Sequence, residues 1–244
     1  MVSPAGTSDQ TDDIRPIHLN ATIALLFMIG SACFVLGSIP AYVDAVGTTA
    51  DGLTFVVGSV FFTSASFAQL LQAQTPAMTD VDEQSQHRRT SVRWWARLPR
   101  DKAWLAAATQ LPGTVFFNVT TTAALVTYSS TQAENQHVWR PDVFGSALFL
   151  ISSRYAVLAL GRGSFVDQLR TLPGGIAWLN MLGSILFGIS AIGAYVLPTG
   201  SAVDEAADVA GTLFGAVCFF AGAALMFPAW KRAVRQPSTR GEAT

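Results

Sequence analysis

The chain has 244 residues, a formal net charge of −1 and 50% hydrophobic residues. Only 13% of the residues are charged, whereas an ordinary soluble domain contains about 25%. Because the charges gather in a few segments and leave long apolar runs between them, the composition excludes a typical soluble domain.

Six largely uncharged runs follow one another along the chain. Their approximate ranges are 20–43, 53–74, 103–128, 143–161, 174–197 and 207–230. A membrane-spanning helix needs about 20 mostly apolar residues, and a bilayer requires every backbone polar group to be paired within the segment. Each run therefore predicts one transmembrane helix, and the chain is predicted to be an all-α, polytopic integral membrane protein with six spans.

The runs pair into three helical hairpins, separated by charged segments. The predicted divisions are an N-terminal tail at 1–19, hairpins at 20–74, 103–161 and 174–230, a linker at 75–102 and a C-terminal tail at 231–244. Each hairpin begins on the same side of the membrane. The three hairpins are therefore predicted to be parallel repeats, related by an axis near the membrane normal.

One small pattern occurs once in every run: a glycine followed four residues later by a phenylalanine. The pairs are Gly30/Phe34, Gly58/Phe62, Gly113/Phe117, Gly145/Phe149, Gly183/Phe187 and Gly215/Phe219. Small residues also occupy the positions one, seven and eight residues after each glycine. On a helix these positions share one face, and small residues let helices approach closely in lipid. We therefore expect this face to form the interior of the bundle.

The segments 55–62 and 143–149, which contain two of the glycine–phenylalanine pairs, resemble the YrhK-like family of small two-helix membrane modules. The segments 30–34 and 183–187 are similar. The resemblance covers the three hairpins and implies three tandem two-helix modules. It implies no activity, cofactor or catalytic residue.

Basic residues indicate the orientation of the spans. The linker, the segment between runs four and five and the C-terminal tail hold nearly all of them, whereas the alternate loops are acidic and hold only Arg140. Positive charge in short loops marks the cytoplasmic side. Both termini are therefore predicted to be cytoplasmic, with the protein in the plasma membrane. Since only Lys102 and Lys231 are lysines, the arginine bias is typical of a GC-rich bacterial genome.

The second half of the linker combines basic and aromatic residues. It contains Trp94, Trp95 and Leu98 among several arginines, as a short helix lying on a membrane surface would. Residues 88–102 are thus a candidate contact for anionic lipid headgroups. Anchoring of the topology by positive charge explains the same residues equally well. The segment is too short and too close to the membrane to indicate nucleic-acid binding.

Catalytic and cofactor-binding residues are missing from the predicted spans. His18, His87 and His137 lie outside the spans, neither lysine lies mid-membrane, and no carboxylate occupies the centre of a run. This pattern disfavours a haem, a retinal-type Schiff base and a proton relay. The sequence therefore predicts no cofactor, no metal site and no enzymatic activity.

Two polar residues within the spans remain candidates for a site. Arg154 lies about 12 Å before Arg162 along the helix axis, and an intramembrane charge suggests function. An arginine at that depth also reaches the interface with its own side chain. Asn118 lies beside the packing face, where it could bind a ligand or form an interhelical hydrogen bond.

Three functions fit these observations. The first is a non-enzymatic structural or accessory membrane protein whose bundle is closed by small-residue packing. The second is a facilitator for a small neutral or apolar solute, with the serines and threonines of the inner faces lining a narrow path. The third is a lipid-binding or lipid-modifying protein in which Arg154 holds a phosphate. The sequence points to no particular substrate or protein partner.

Overall fold

A computed structural model gives the structure of residues 14–75 and 94–235, with side chains for 19–75 and 94–229. The long helices within these residues are α1 Ile14–Gly37, α3 Thr48–Gln74, α4 Lys102–Ala123, α6 Arg140–Ala159, α8 Leu172–Gly193 and α9 Glu205–Arg235. Short helices fill the connections: α2 Pro40–Val46, α5 Thr131–Glu134 and α7 Phe165–Leu169, with a π-helical turn at Asn135–Trp139 that joins α5 to α6. The described residues contain no β-strand beyond an isolated bridge between Val196 and Ala202.

Five helical segments are long and apolar enough to cross a membrane. They are Leu19–Gly37, Thr48–Gln74, Thr131–Ala159, Leu172–Gly193 and Glu205–Ala229. The chain is thus a helical, multi-pass membrane protein. Helix α4, predicted as the third span at 103–128, is not among the five. Gln110, Asn118 and several threonines lower its average hydropathy.

The helix ends differ from the predicted runs by several residues. Helix α3 begins at Thr48 rather than 53, α4 ends at Ala123 rather than 128, and α9 continues to Arg235. Asp101 explains where α4 begins, because its carboxylate accepts hydrogen bonds from the backbone N–H groups of Ala103 and Trp104.

The six long helices form a closed ring. Each contacts the next long helix along the chain, and α9 returns to contact α1. We name the two ends of the ring by their connections. The linker end holds residues 75, 102 and 160–171, and the loop end holds residues 38–47, 124–139 and 194–204.

The loop end is tied together by hydrogen bonds between the second and third hairpins. The Asn135 side chain donates to the carbonyl of Val196 over 2.7 Å and accepts from the N–H of Val196 over 3.0 Å. The Trp139 indole N–H donates to the carbonyl of Ala191 over 2.8 Å. The π-helical turn that carries Asn135 and Trp139 therefore holds the connection between α4 and α6 against the end of α8.

Candidate functional site

The two helices of each hairpin cross most closely at their glycines. A Cβ atom added to Gly30 would lie 3.0 Å from the carbonyl oxygen of Gly58, and one added to Gly58 would lie 3.0 Å from that of Gly30. The same relation holds in the other hairpins for Gly145 on Gly113 at 3.2 Å and for Gly183 on Gly215 at 3.0 Å. No larger residue fits at these crossings without moving the backbones apart.

Each glycine also receives the phenylalanine of the opposite helix in its hairpin. A Cβ atom on Gly58 would lie 2.9 Å from the ring of Phe34, and one on Gly30 would lie 3.1 Å from the ring of Phe62. The four remaining glycines of the pattern meet the corresponding rings in the second and third hairpins. The glycine provides the space that its partner's phenylalanine fills.

The six phenylalanines of the pattern form an aromatic core on the axis of the ring. All are buried, with exposed fractions of 3% to 8%. Three of them, Phe34, Phe117 and Phe187, lie 5.6 to 6.5 Å apart between ring centroids. The other three, Phe62, Phe149 and Phe219, lie 5.7 to 6.4 Å apart. The core therefore has two triangular layers, one from the first helices of the hairpins and one from the second.

The small residues that follow each glycine are buried as well, at all three positions in all six helices. Several hydroxyls join neighbouring hairpins. Ser59 and Thr121 lie 3.0 Å apart between their oxygens, and Ser153 and Ser184 lie 2.7 Å apart. The Ser31 and Ser66 hydroxyl oxygens are buried without a partner among the described residues.

A cavity of about 320 Å³ lies between the aromatic core and the linker end. All six long helices contribute to its wall, and the triangular layer of Phe62, Phe149 and Phe219 forms its floor. Six alanine side chains contribute to the rest of its wall. They are Ala103, Ala106, Ala156, Ala159, Ala177 and Ala223.

Three carboxamide side chains also line the cavity: Gln69, Gln110 and Asn180. The Ser152 hydroxyl donates to the Gln110 amide oxygen over 3.3 Å. The Gln69 amide oxygen is buried and has no hydrogen-bond partner within the described residues. A buried amide oxygen left unpaired costs about 1–3 kcal/mol, so a rotation of the Gln69 side chain that brought this oxygen to a ligand in the cavity would be favoured.

The glycine–phenylalanine pattern explains where the cavity lies. The position three residues before the glycine of each first helix holds Phe27, Gln110 or Asn180, and all three side chains line the cavity. The first hairpin fills its share with an aromatic ring, whereas the other two present amides. This site was not predicted from the sequence, although the change from phenylalanine to amide at one position of the pattern was a visible signal.

Asn118 does not line the cavity. Its amide N–H donates to the Thr63 hydroxyl over 2.7 Å, across the contact between α3 and α4. Its amide oxygen is buried without a partner among the described residues. The structure therefore gives Asn118 an interhelical hydrogen bond.

Arg154 is exposed on the outer surface of the ring and does not reach the cavity. The next residue, Tyr155, has its ring centroid 5.7 Å from the Lys102 ammonium, at the first residue of α4. Arg154 thus lies near the linker end, where a short reach brings its guanidinium to the headgroup level.

The candidate lipid contact at 88–102 is described only from residue 94. Trp94 and Trp95 are 70% and 88% exposed. The short helix predicted for the second half of the linker is wrong for its described part, because residues 94–101 are not helical. Pro99 explains why no helix continues through Leu98, since a proline disfavours helical backbone at the residue before it.

No group of three or more histidine, cysteine, aspartate or glutamate side chains is placed to hold a metal ion in residues 14–75 and 94–235. Cys33 and Cys218 are free and half-buried. Comparison with known proteins found no matching family model, no matching curated protein and no matching solved structure. The resemblance to the YrhK-like family stays a prediction.

Proposed function

We propose that the protein is a six-span membrane protein, built as three parallel hairpin repeats, that acts as a non-enzymatic structural or accessory component. The observation that carries this proposal is the aromatic core, which fills the axis of the ring with six phenylalanine side chains. A bundle closed in this way offers a stable scaffold within the bilayer and no continuous aqueous path through it.

In this proposal α4 also crosses the membrane, in addition to the five spans given above. Its 22 residues reach about 33 Å, which matches the hydrocarbon thickness of about 30 Å. Val115 and Val119 are 47% and 48% exposed on its outer face, whereas Asn118 and Gln110 bond within the bundle. An average over the whole helix hides this division between an apolar outer face and a polar inner one.

The orientation belongs to the same proposal. The linker end carries Arg97, Arg100, Lys102 and Arg162, whereas the loop end carries mostly acidic residues. By the positive-inside tendency, the linker end faces the cytoplasm, and the protein resides in the plasma membrane with both termini inside.

Cysteine labelling tests the number of spans and the orientation together. In a chain without Cys33 and Cys218, single cysteines replace Thr127 and Thr199 at the loop end or Ser164 at the linker end. With six spans, an impermeant maleimide should label the first two in intact cells and Ser164→Cys only after permeabilisation. A further single cysteine at Ala45, exposed in the connection between α1 and α3, counts the spans: with six spans it labels in intact cells as Thr127→Cys does, whereas it would label on the opposite side from Thr127→Cys if α4 did not cross.

A facilitator for a small neutral or apolar solute is the second candidate, and the cavity favours it. The aromatic core closes one end of the cavity, so transport requires the core to open. Vesicles containing the purified protein distinguish the two functions by their rate of glycerol uptake. Vesicles with a closed bundle should take up glycerol at the same rate as protein-free vesicles. An uptake rate several times higher would support the facilitator.

The third candidate, a lipid-binding or lipid-modifying protein, uses Arg154 to hold a lipid phosphate. The exposed position of Arg154 outside the ring suits contact with a headgroup phosphate from the surrounding bilayer. Nothing near it among the described residues resembles a catalytic nucleophile and base. Replacing Arg154 with alanine should abolish lipid binding or turnover if this candidate were correct, and should change neither if the side chain only reaches to the interface.

A further inference from the structure

We propose that the cavity between the aromatic core and the linker end binds a small uncharged molecule with a hydroxyl group and an apolar body. The inference rests on the proposed six-helix bundle, because the wall needs all six helices. It goes beyond that proposal by assigning a binding site and a class of ligand.

The size and lining of the cavity indicate a small ligand with an apolar body. Ligand pockets in proteins commonly enclose about 300–1,000 Å³ and are mostly apolar with a few placed polar groups. This cavity holds about 320 Å³, with Phe27, Met226 and alanines forming its apolar wall. A compact molecule of about a dozen non-hydrogen atoms suits this volume.

The residues that line the cavity indicate that the ligand is uncharged. The side chains that line the cavity, all of them among the described residues, include no acidic, basic or histidine residue. Moving an ion into such a place without a partner is costly. The site therefore selects uncharged molecules.

The amide side chains in the cavity wall indicate that the ligand has a hydroxyl group. The Gln69 amide oxygen has no partner in the described chain, and Gln110 and Asn180 lie in the same wall. Carboxamides offer both donors and acceptors. A hydroxyl matches them because it donates to one amide oxygen and accepts from another amide N–H. A pure hydrocarbon would leave Gln69 unpaired.

A matched pair of probes tests the proposal on the full-length protein in lipid nanodiscs. The probes are 4-tert-butylphenol and 4-tert-butyltoluene, which differ by a hydroxyl in place of a methyl group. Equilibrium dialysis, corrected with empty nanodiscs, gives the affinity of each. We expect the phenol to bind about tenfold more tightly than the toluene, because only the phenol pairs the buried amides.

Three variants locate the binding. Gln69→Leu should abolish the preference for the phenol, since it replaces the unpaired amide with an apolar side chain of similar size. Ala156→Leu should weaken both probes, because the equivalent repeat position holds Met226 and a larger side chain fills the space. Gln132→Leu, an exposed substitution in α5, is the matched control and should bind both probes as the wild type does.

The proposal would be overturned by equal affinity for the two probes in the wild type, by binding no greater than that of empty nanodiscs, or by an unchanged preference in Gln69→Leu. A tightly held lipid that neither probe displaces would also overturn it. Melting and cysteine labelling of Gln69→Leu show whether the bundle is intact. Failure of the site is thereby distinguished from failure of the bundle.

Discussion

At the scale of single residues, the glycines of the repeated pattern work through the space they leave empty. Glycine in a helix ordinarily costs about 1 kcal/mol relative to alanine, so a glycine without a steric role is a weak point. Gly58 has such a role, since a Cβ atom there would lie 2.8 Å from the Cys33 Cβ and 3.0 Å from the Gly30 carbonyl oxygen. Gly188 has none, because its nearest such neighbour is the end of Leu150 at 3.5 Å.

Alanine substitutions at these two glycines should therefore have opposite signs. We expect Gly58→Ala to lower the free energy of unfolding by about 1–3 kcal/mol, because the crowded crossing must open. Gly188→Ala should leave the stability unchanged or raise it by up to about 1 kcal/mol. Thermal or denaturant unfolding in detergent measures both.

Leucine at Gly58 or Gly145 is the stronger form of the same test. Either variant should fail to fold or should melt far below the wild type. Melting of both variants at the wild-type temperature would show that the crossings are not tightly packed. A facilitator that uses this face as a path would instead lose transport while it stayed folded.

At the scale of helices, buried hydroxyls join the hairpins side by side. Ser184 bonds to Ser153 over 2.7 Å and donates to the Asn180 carbonyl over 2.8 Å. Ser31 occupies the same repeat position in the first hairpin, yet its buried oxygen has no partner among the described residues. At the position where Ser153 meets Ser184, the last helix carries Ala223. The first hairpin therefore lacks the interhelical partner that Ser153 provides for Ser184.

Removing the Ser184 hydroxyl and removing the Ser31 hydroxyl should change the stability of the protein by different amounts. Ser184→Ala is expected to destabilise the protein by about 1 kcal/mol, the usual value for a hydrogen bond between membrane helices. Ser31→Ala removes an unpaired polar atom and should be neutral or stabilising. Equal losses of stability in the two variants, measured by unfolding in the same detergent, would contradict this assignment of partners.

The sequence predicted the helices better than their ends or connections. Apolar runs showed where most long helices lie, because a helix in lipid must be long and apolar. They did not show α2 or the π-helical turn. The turn carries Asn135 and Trp139, whose hydrogen bonds go to Val196 and Ala191, more than 50 residues away along the chain. The run at 103–128 predicted a helix at α4, but Gln110 and Asn118 lower its mean hydropathy, and α4 is not among the five helices that are apolar enough to span a membrane.

At the scale of the whole molecule, the ring is closed by the contact between the first and last long helices. Closure brings the six phenylalanines onto one axis, where two layers of three pack against each other. Phe117 and Phe149 illustrate the link between layers, with ring centroids 4.9 Å apart. One small pattern repeated in every helix thus builds both the crossings and the centre.

The candidate site was beyond the reach of the sequence for a physical reason. Each cavity residue is unremarkable on its own helix, and Gln69 and Asn180 are far apart along the chain. Only the closed ring brings them into one wall. The sequence identified the face that the structure buries, but it did not show which positions on that face leave space.

In the ring, the helix face bearing the glycines and phenylalanines lies inside, and we expect the opposite face to contact lipid. Carbene footprinting of the wild-type protein with a lipid-soluble diazirine, read by mass spectrometry, tests this most directly. On α6, labels should fall on Phe144 and Ile151, which are 57% and 44% exposed. They should spare Phe149 and Ser153, which are 3% and 5% exposed. Labels on Phe149 and Ser153 with Phe144 and Ile151 protected would contradict the account.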